Sequence, residues 1–132
     1  MDAVSPCPCP CGSGRGYAQC CGSLHEGARA ADAEALMRSR YSAYALGLGQ
    51  YLRDSWHPST RSADFDANAA SEPRTIWLGL SIKQHLQTSP DTAQIEFIAR
   101  YRVGGGSAVR LHERSRFLRE HGHWFYLDGE HL

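Results

Sequence analysis

Cysteine is missing from most of this sequence. None follows Cys21 in a chain of 132 residues, and the five present all fall between positions 7 and 21. Net charge is also lacking, with 14 Lys plus Arg against 14 Asp plus Glu. A neutral chain has no global pull toward phosphate polymers or anionic bilayers, which counts against bulk nucleic-acid binding as its main task. No apolar run approaches the length of a membrane span. The opening residues, MDAVSPCPCP, have neither the basic start nor the apolar stretch of a signal peptide. The chain contains no C-x-x-C and no internal repeat. An odd number of thiols crowded into one short stretch does not make a disulfide framework, and in a reducing compartment it reads as a metal site. The expectation is a cytoplasmic protein without membrane association.

What is there begins with CPCGSGRGYAQCC, residues 9–21. Cys9 and Cys11 at C-x-C spacing fit one knuckle, where Gly12 and Gly14 allow positive φ and let backbone N–H groups point at sulfur. Cys20 and Cys21 return after eight intervening residues. Four sulfurs complete a tetrahedron at about 2.3 Å each and leave no open position, so the expected Zn2+ is structural and not catalytic. Metal binding would fold this unit, which is too short to fold by burial. Four thiolates against two zinc charges leave the unit anionic, with Arg15 and Arg29 the nearest compensation. A shifted ligand set, Cys7 and Cys9 with the later pair, is an alternative. A redox pair is another, although a disulfide between adjacent Cys20 and Cys21 is strained.

The chain divides into a zinc unit over residues 1–24 and a second unit over 32–132, with SLHEGARAA (23–31) reading as a linker. From Asp32, a plausible N-cap, Leu36, Met37, Tyr41, Tyr44, Ala45 and Leu48 recur at helical spacing. A second short helix, QYLRDSW, is stopped by Pro58, and 59–74 reads as loop. The remainder alternates with period two. Ile76, Leu78, Leu80 and Ile82 share one face; so do Ile95, Phe97, Ala99, Tyr101 and Val103; so do Val109, Leu111, Glu113, Ser115 and Phe117; HWFYLD closes the series. Turn signals fall at 89–91, 104–106 and 120–122. Helices followed by four strands imply an α+β fold with helices laid on one face of a curved antiparallel sheet.

CPCGSGRGYAQCC resembles the SEC-C motif, a small zinc module. Arg15 and Gly16 stand where that motif usually carries lysine. The segments LMRSRYSAYALG, YLRDSWHPSTR, WLGL, FIARY and HERSRFLREHGHWFYLDG resemble the YchJ-like family of bacterial proteins, over nearly all of 32–129. The resemblance implies a nuclear transport factor 2-like (cystatin-like) cone, a structural zinc and no settled activity.

In such a cone a pocket opens between helices and sheet. Glu113 falls on the apolar, inward face of its strand, where a carboxylate must be paired, hydrogen-bonded or protonated. Tyr41, Trp56 and His57 are the expected neighbours, and Glu113 with His57 could serve as general acid and base. The plainer reading has Glu113 holding a helix through Arg38 or Arg40, and His57 capping a helix end. His112, His121 and His123 read as solvent-facing. Arg100, Arg102, Arg110, Arg114 and Arg116 share the polar face of two strands and offer a contact for RNA or an acidic partner; plain solvation or a dimer interface is weighed above it. Two functions follow. One is a binding scaffold whose zinc module meets a protein or ribonucleoprotein partner; the other is a small enzyme or small-molecule binder using the Glu113 and His57 pocket.

Overall fold

The computed structural model describes residues 8–63, 65 and 75–132. Cys7, and positions 64 and 66–74 of the loop expected over 59–74, lie outside them. After a 3-10 turn at Tyr17–Gln19 come α1 (Cys21–His25), α2 (Ala33–Leu46) and α3 (Gly49–Asp54). Four strands follow: β1 (Thr75–Ser89), β2 (Thr92–Val103), β3 (Val109–Glu120) and β4 (His123–His131). They form one antiparallel sheet in sequence order.

α2 begins where the sequence places it. Asp32 is extended and its carboxylate accepts the Ala35 N–H at 2.8 Å, which satisfies one otherwise orphaned donor. Gly47 ends the helix at φ 73°, a left-handed position that glycine takes without strain. The expected apolar stripe is only partly buried, because Tyr44 and Ala45 are exposed while Ser39, Ser42 and Ala43 are fully covered. α2 is enclosed on two sides, by the sheet and by the N-terminal knuckle, so a single stripe does not describe it. α3 stops at Asp54, short of Pro58. There the chain leaves the helix for the sheet edge: Tyr126 donates to the Ser55 carbonyl at 2.9 Å, and His57 donates to the Tyr126 carbonyl at 2.8 Å.

The core lies between α2 and the concave face. Leu36, Met37 and Tyr41 meet Ile95 and Phe97 of β2, Phe117 of β3 and Trp124 of β4. The expected phase holds on β2 and β3 but not on β1. The register steps from Trp77 opposite Tyr101 to Gly79 opposite Arg100, so Leu78 is the extra residue of a β-bulge. One inserted residue reverses the alternation. Trp77 therefore turns inward, Leu80 and Ile82 follow it, and Ile76 and Leu78 are exposed. The β3–β4 connection has both central residues left-handed, His121 at φ 53° and Gly122 at φ 79°, as a type I′ hairpin requires. On the arginine face, Arg114 pairs with Glu96 and Glu130, and Arg116 with Asp128; exposed Arg100 stands opposite exposed Arg110.

Candidate metal centre

The knuckle is closed by its own backbone. Cys9 donates to the Arg15 carbonyl at 3.0 Å, Gly12 donates to the Cys9 carbonyl at 3.1 Å, and Pro8 bridges Gly16. Gly12 and Gly14 take φ of 78° and 86°. A Cβ at either would meet nothing within 4 Å, so glycine is needed there for backbone conformation alone. The Tyr17–Gln19 turn then delivers Cys20 and Cys21 to the same point. The four Sγ atoms of Cys9, Cys11, Cys20 and Cys21 lie within 4.8 Å of one another. Cys11 to Cys20 is 3.7 Å and Cys20 to Cys21 is 4.0 Å. A zinc–thiolate tetrahedron with bonds of about 2.3 Å has edges of about 3.8 Å, so the donor set fits that ion. All four cysteines are free thiols. The hydrogen bond from Cys21 holds the Cys11 thiol well below its usual range, and the same bond pushes Cys21 up. A cation bound by all four would replace their shared protons.

Surrounding polar groups orient these sulfurs. The Ser13 and Ser42 hydroxyls lie 3.3 Å from Cys20 Sγ and 3.5 Å from Cys9 Sγ. Arg38 bonds the Cys11 carbonyl and the Glu34 carboxylate, both at 3.0 Å. The cation beside the site is thus Arg38, whereas Arg15 turns back to the Gln19 carbonyl. The stretch expected as a linker begins with an anchor. His25 Nε2 lies 2.8 Å from the Ser39 carbonyl, which can only accept, so Nδ1 must accept from the Tyr17 hydroxyl at 2.5 Å. Burial, then the charges of Cys21 and Cys9, keep the Tyr17 phenol protonated. Gly22 packs against Tyr17 so closely that a Cβ would sit 2.6 Å from its carbonyl oxygen.

The expected pocket is present as a cavity of about 360 Å³ between α2 and the sheet, and Tyr41, Trp56 and Glu113 line it. His57 does not join them. Its ring packs on Phe125, and its nitrogens reach Ser59 at 2.7 Å and Glu120 at 3.3 Å, because the bridge to Tyr126 turns it away. The Glu113 and His57 acid–base pair is therefore not assembled. Neither Arg38 nor Arg40 pairs with Glu113 either. Glu113 accepts the Ser115 hydroxyl at 2.9 Å, while Arg40 donates to the Leu52 carbonyl and the Ser55 hydroxyl. Gly129 leaves the space Glu113 needs, since a Cβ there would lie 2.7 Å from the carboxylate.

Residues 32–129 match the family described as YchJ, middle NTF2-like domain. The chain belongs to that family. Residues 5–23 match the SEC-C motif. A UPF0225 protein of Xanthomonas campestris pv. campestris is 59% identical over 114 residues, covering 86% of this chain and 87% of the relative. One from Ralstonia nicotianae is 51% identical and spans 98% and 96%. The solution structure of a SEC-C motif containing protein from Rhodopseudomonas palustris is similar at TM-score 0.84 and 38% identity, covering 95% of this chain and 98% of that one. A crystal structure of a SEC-C motif containing protein from Psychrobacter arcticus gives TM-score 0.78 at 29% identity, covering 95% and 81%.

For this YchJ-family chain the site's chemical capacity follows from the donor set. Four thiolates close a tetrahedron, so a bound ion has no position for water or substrate. Sequence reasoning missed His25, Ser42 and the placement of Arg38. Their roles depend on how the knuckle lies on α2, and only the spacing of Tyr17 and His25 around the second thiol pair hinted at it.

Proposed function

We propose that this protein is a zinc-dependent binding module. Cys9, Cys11, Cys20 and Cys21 hold one Zn2+, and the knuckle fixed by that ion presents the surface that meets a protein partner. The convergence of four sulfurs within 4.8 Å carries the reading. Zinc is favoured by soft ligands at tetrahedral edges. A reducing compartment, the cytoplasm, suits four free thiols. Elemental analysis of protein purified without chelators is expected to return one zinc per chain. Affinity capture with wild type and with Cys9→Ser/Cys11→Ser should then recover different partners. Absence of stoichiometric metal overturns the site, and identical catches overturn the docking role.

A further inference from the structure

The cavity against α2 holds two features that its role as a core boundary does not require. Arg40 is 6% exposed, yet among the described residues no carboxylate pairs with it. Among the described residues its Nη1 makes two bonds, to the Leu52 carbonyl at 2.8 Å and Ser55 Oγ at 2.6 Å. Its guanidinium carbon sits 4.5 Å above the Tyr126 ring. Nη2 and Nε make no hydrogen bond among the described residues. Burying a guanidinium without a countercharge is costly, so such groups ordinarily meet a carboxylate. The second feature is Trp56 Nε1, a buried donor with no acceptor among the described residues. Both residues line the same space.

The other walls say what shape would fill it. Tyr41, Tyr44, Trp77, Tyr101 and Tyr126 surround the cavity, and Trp77 stacks at an angle on Tyr41 and Tyr101 with centroids 5.5 and 5.2 Å away. Tyr44, 37% exposed, gives the cavity an edge on solvent. At about 360 Å³ the space is at the small end of ligand pockets. Glu113 also faces it, and its neighbours Ser115 and His131 leave its carboxylate able to accept further bonds. Arg40 and Glu113 thus offer opposite charges to one aromatic chamber without pairing directly.

We propose that this cavity binds a small planar aromatic molecule bearing both a carboxylate and an amino group, that is, an aromatic amino acid or a close derivative. Arg40 and Trp56 Nε1 receive the carboxylate, Glu113 receives the ammonium, and the ring lies among the tyrosines and tryptophans. The proposal does not rest on the metal reading, and the protein carries its metal throughout the test.

Four probes separate the contributions: L-tryptophan, indole-3-acetate, tryptamine and indole. The readout is the indole N–H resonance of Trp56 in 15N-labelled full chain, identified by its loss in Trp56→Phe. L-tryptophan at about 1 mM is expected to shift that resonance, with indole-3-acetate weaker and indole weakest. Arg40→Gln should weaken both acids by about ten-fold and leave indole unchanged. Arg40 also supports α3, so Glu113→Gln is the second variant; it should remove the advantage of L-tryptophan over indole-3-acetate. Failure of all four probes to move the Trp56 signal overturns the proposal. Equal binding of indole and the acids overturns the role of Arg40, and an unchanged preference in Glu113→Gln overturns the role of Glu113.

Discussion

At the scale of single residues, the Cys9 sulfur lies 3.5 Å from the hydroxyl of Ser42, a residue 33 positions away on α2. Metal ligands are tuned by the groups that hydrogen-bond to them, and losing one such partner typically costs ten- to hundred-fold in affinity. Ser42→Ala is expected to weaken metal binding by about ten-fold, measured by competition with a chromophoric chelator, while leaving the sheet intact. Unchanged affinity would show that the serine only fills space. The clustering of Cys9, Cys11, Cys20 and Cys21 was legible in the sequence because their spacing and thiol chemistry are written in it. Ser42 and His25 were not, since a serine in a helix and a histidine in an apparent linker acquire their roles only through packing. Arg40 was legible as a candidate partner for Glu113, but not as a cavity wall bonded instead to Leu52 and Ser55, because those partners come from the packing of α3.

At the scale of elements, alternation predicted the strands, and register shifts redirected it, two of them beside the cavity. Leu78 on β1 reverses the phase of its strand; Leu127 on β4 lets Tyr126 and Gly129 both face inward opposite Phe117 and Ser115. Period-two counting has no term for an inserted residue, so it put Ile76 and Leu78 on one face with Leu80 and Ile82, and the bulge separates the two pairs. Next to the second bulge, Arg116 grips Asp128 across the hairpin, with Nε to Oδ1 at 2.6 Å. That hydrogen bond holds the Asp128 carboxyl below its usual range. The folded value lies below the unfolded one, so the contribution is complete above about pH 4 and disappears as pH falls through the folded value. Both partners are well exposed. Arg116→Ala should cost no more than about 0.5 kcal/mol at neutral pH by urea unfolding. The difference from wild type should vanish at about pH 2, and a difference that persists there would assign it to packing instead.

At the scale of the whole molecule, the order of elements and the α+β architecture could be read in advance, since helical and strand periodicities occupy separate halves of the chain. The seating of the N-terminal knuckle on that architecture could not. Cys9, Cys11 and Cys21 belong to the same buried cluster as Leu36, Tyr41 and Phe117. Removing the metal is therefore expected to loosen the knuckle and the face of α2 beneath it while the sheet persists. Hydrogen exchange after chelation should show amides of α1 and the first half of α2 losing protection, with those of β2 and β3 unchanged. Uniform loss across the sheet would instead mean that the ion holds the entire fold.

The run Glu26–Arg29 is exposed and carries the covalent connection between knuckle and cone. Beside it, His25 to the Ser39 carbonyl, Arg38 to the Cys11 carbonyl and Cys9 to Ser42 make the same connection without a peptide bond. A chain nicked once in that run should migrate as one particle on gel filtration and come apart into two pieces only in denaturant.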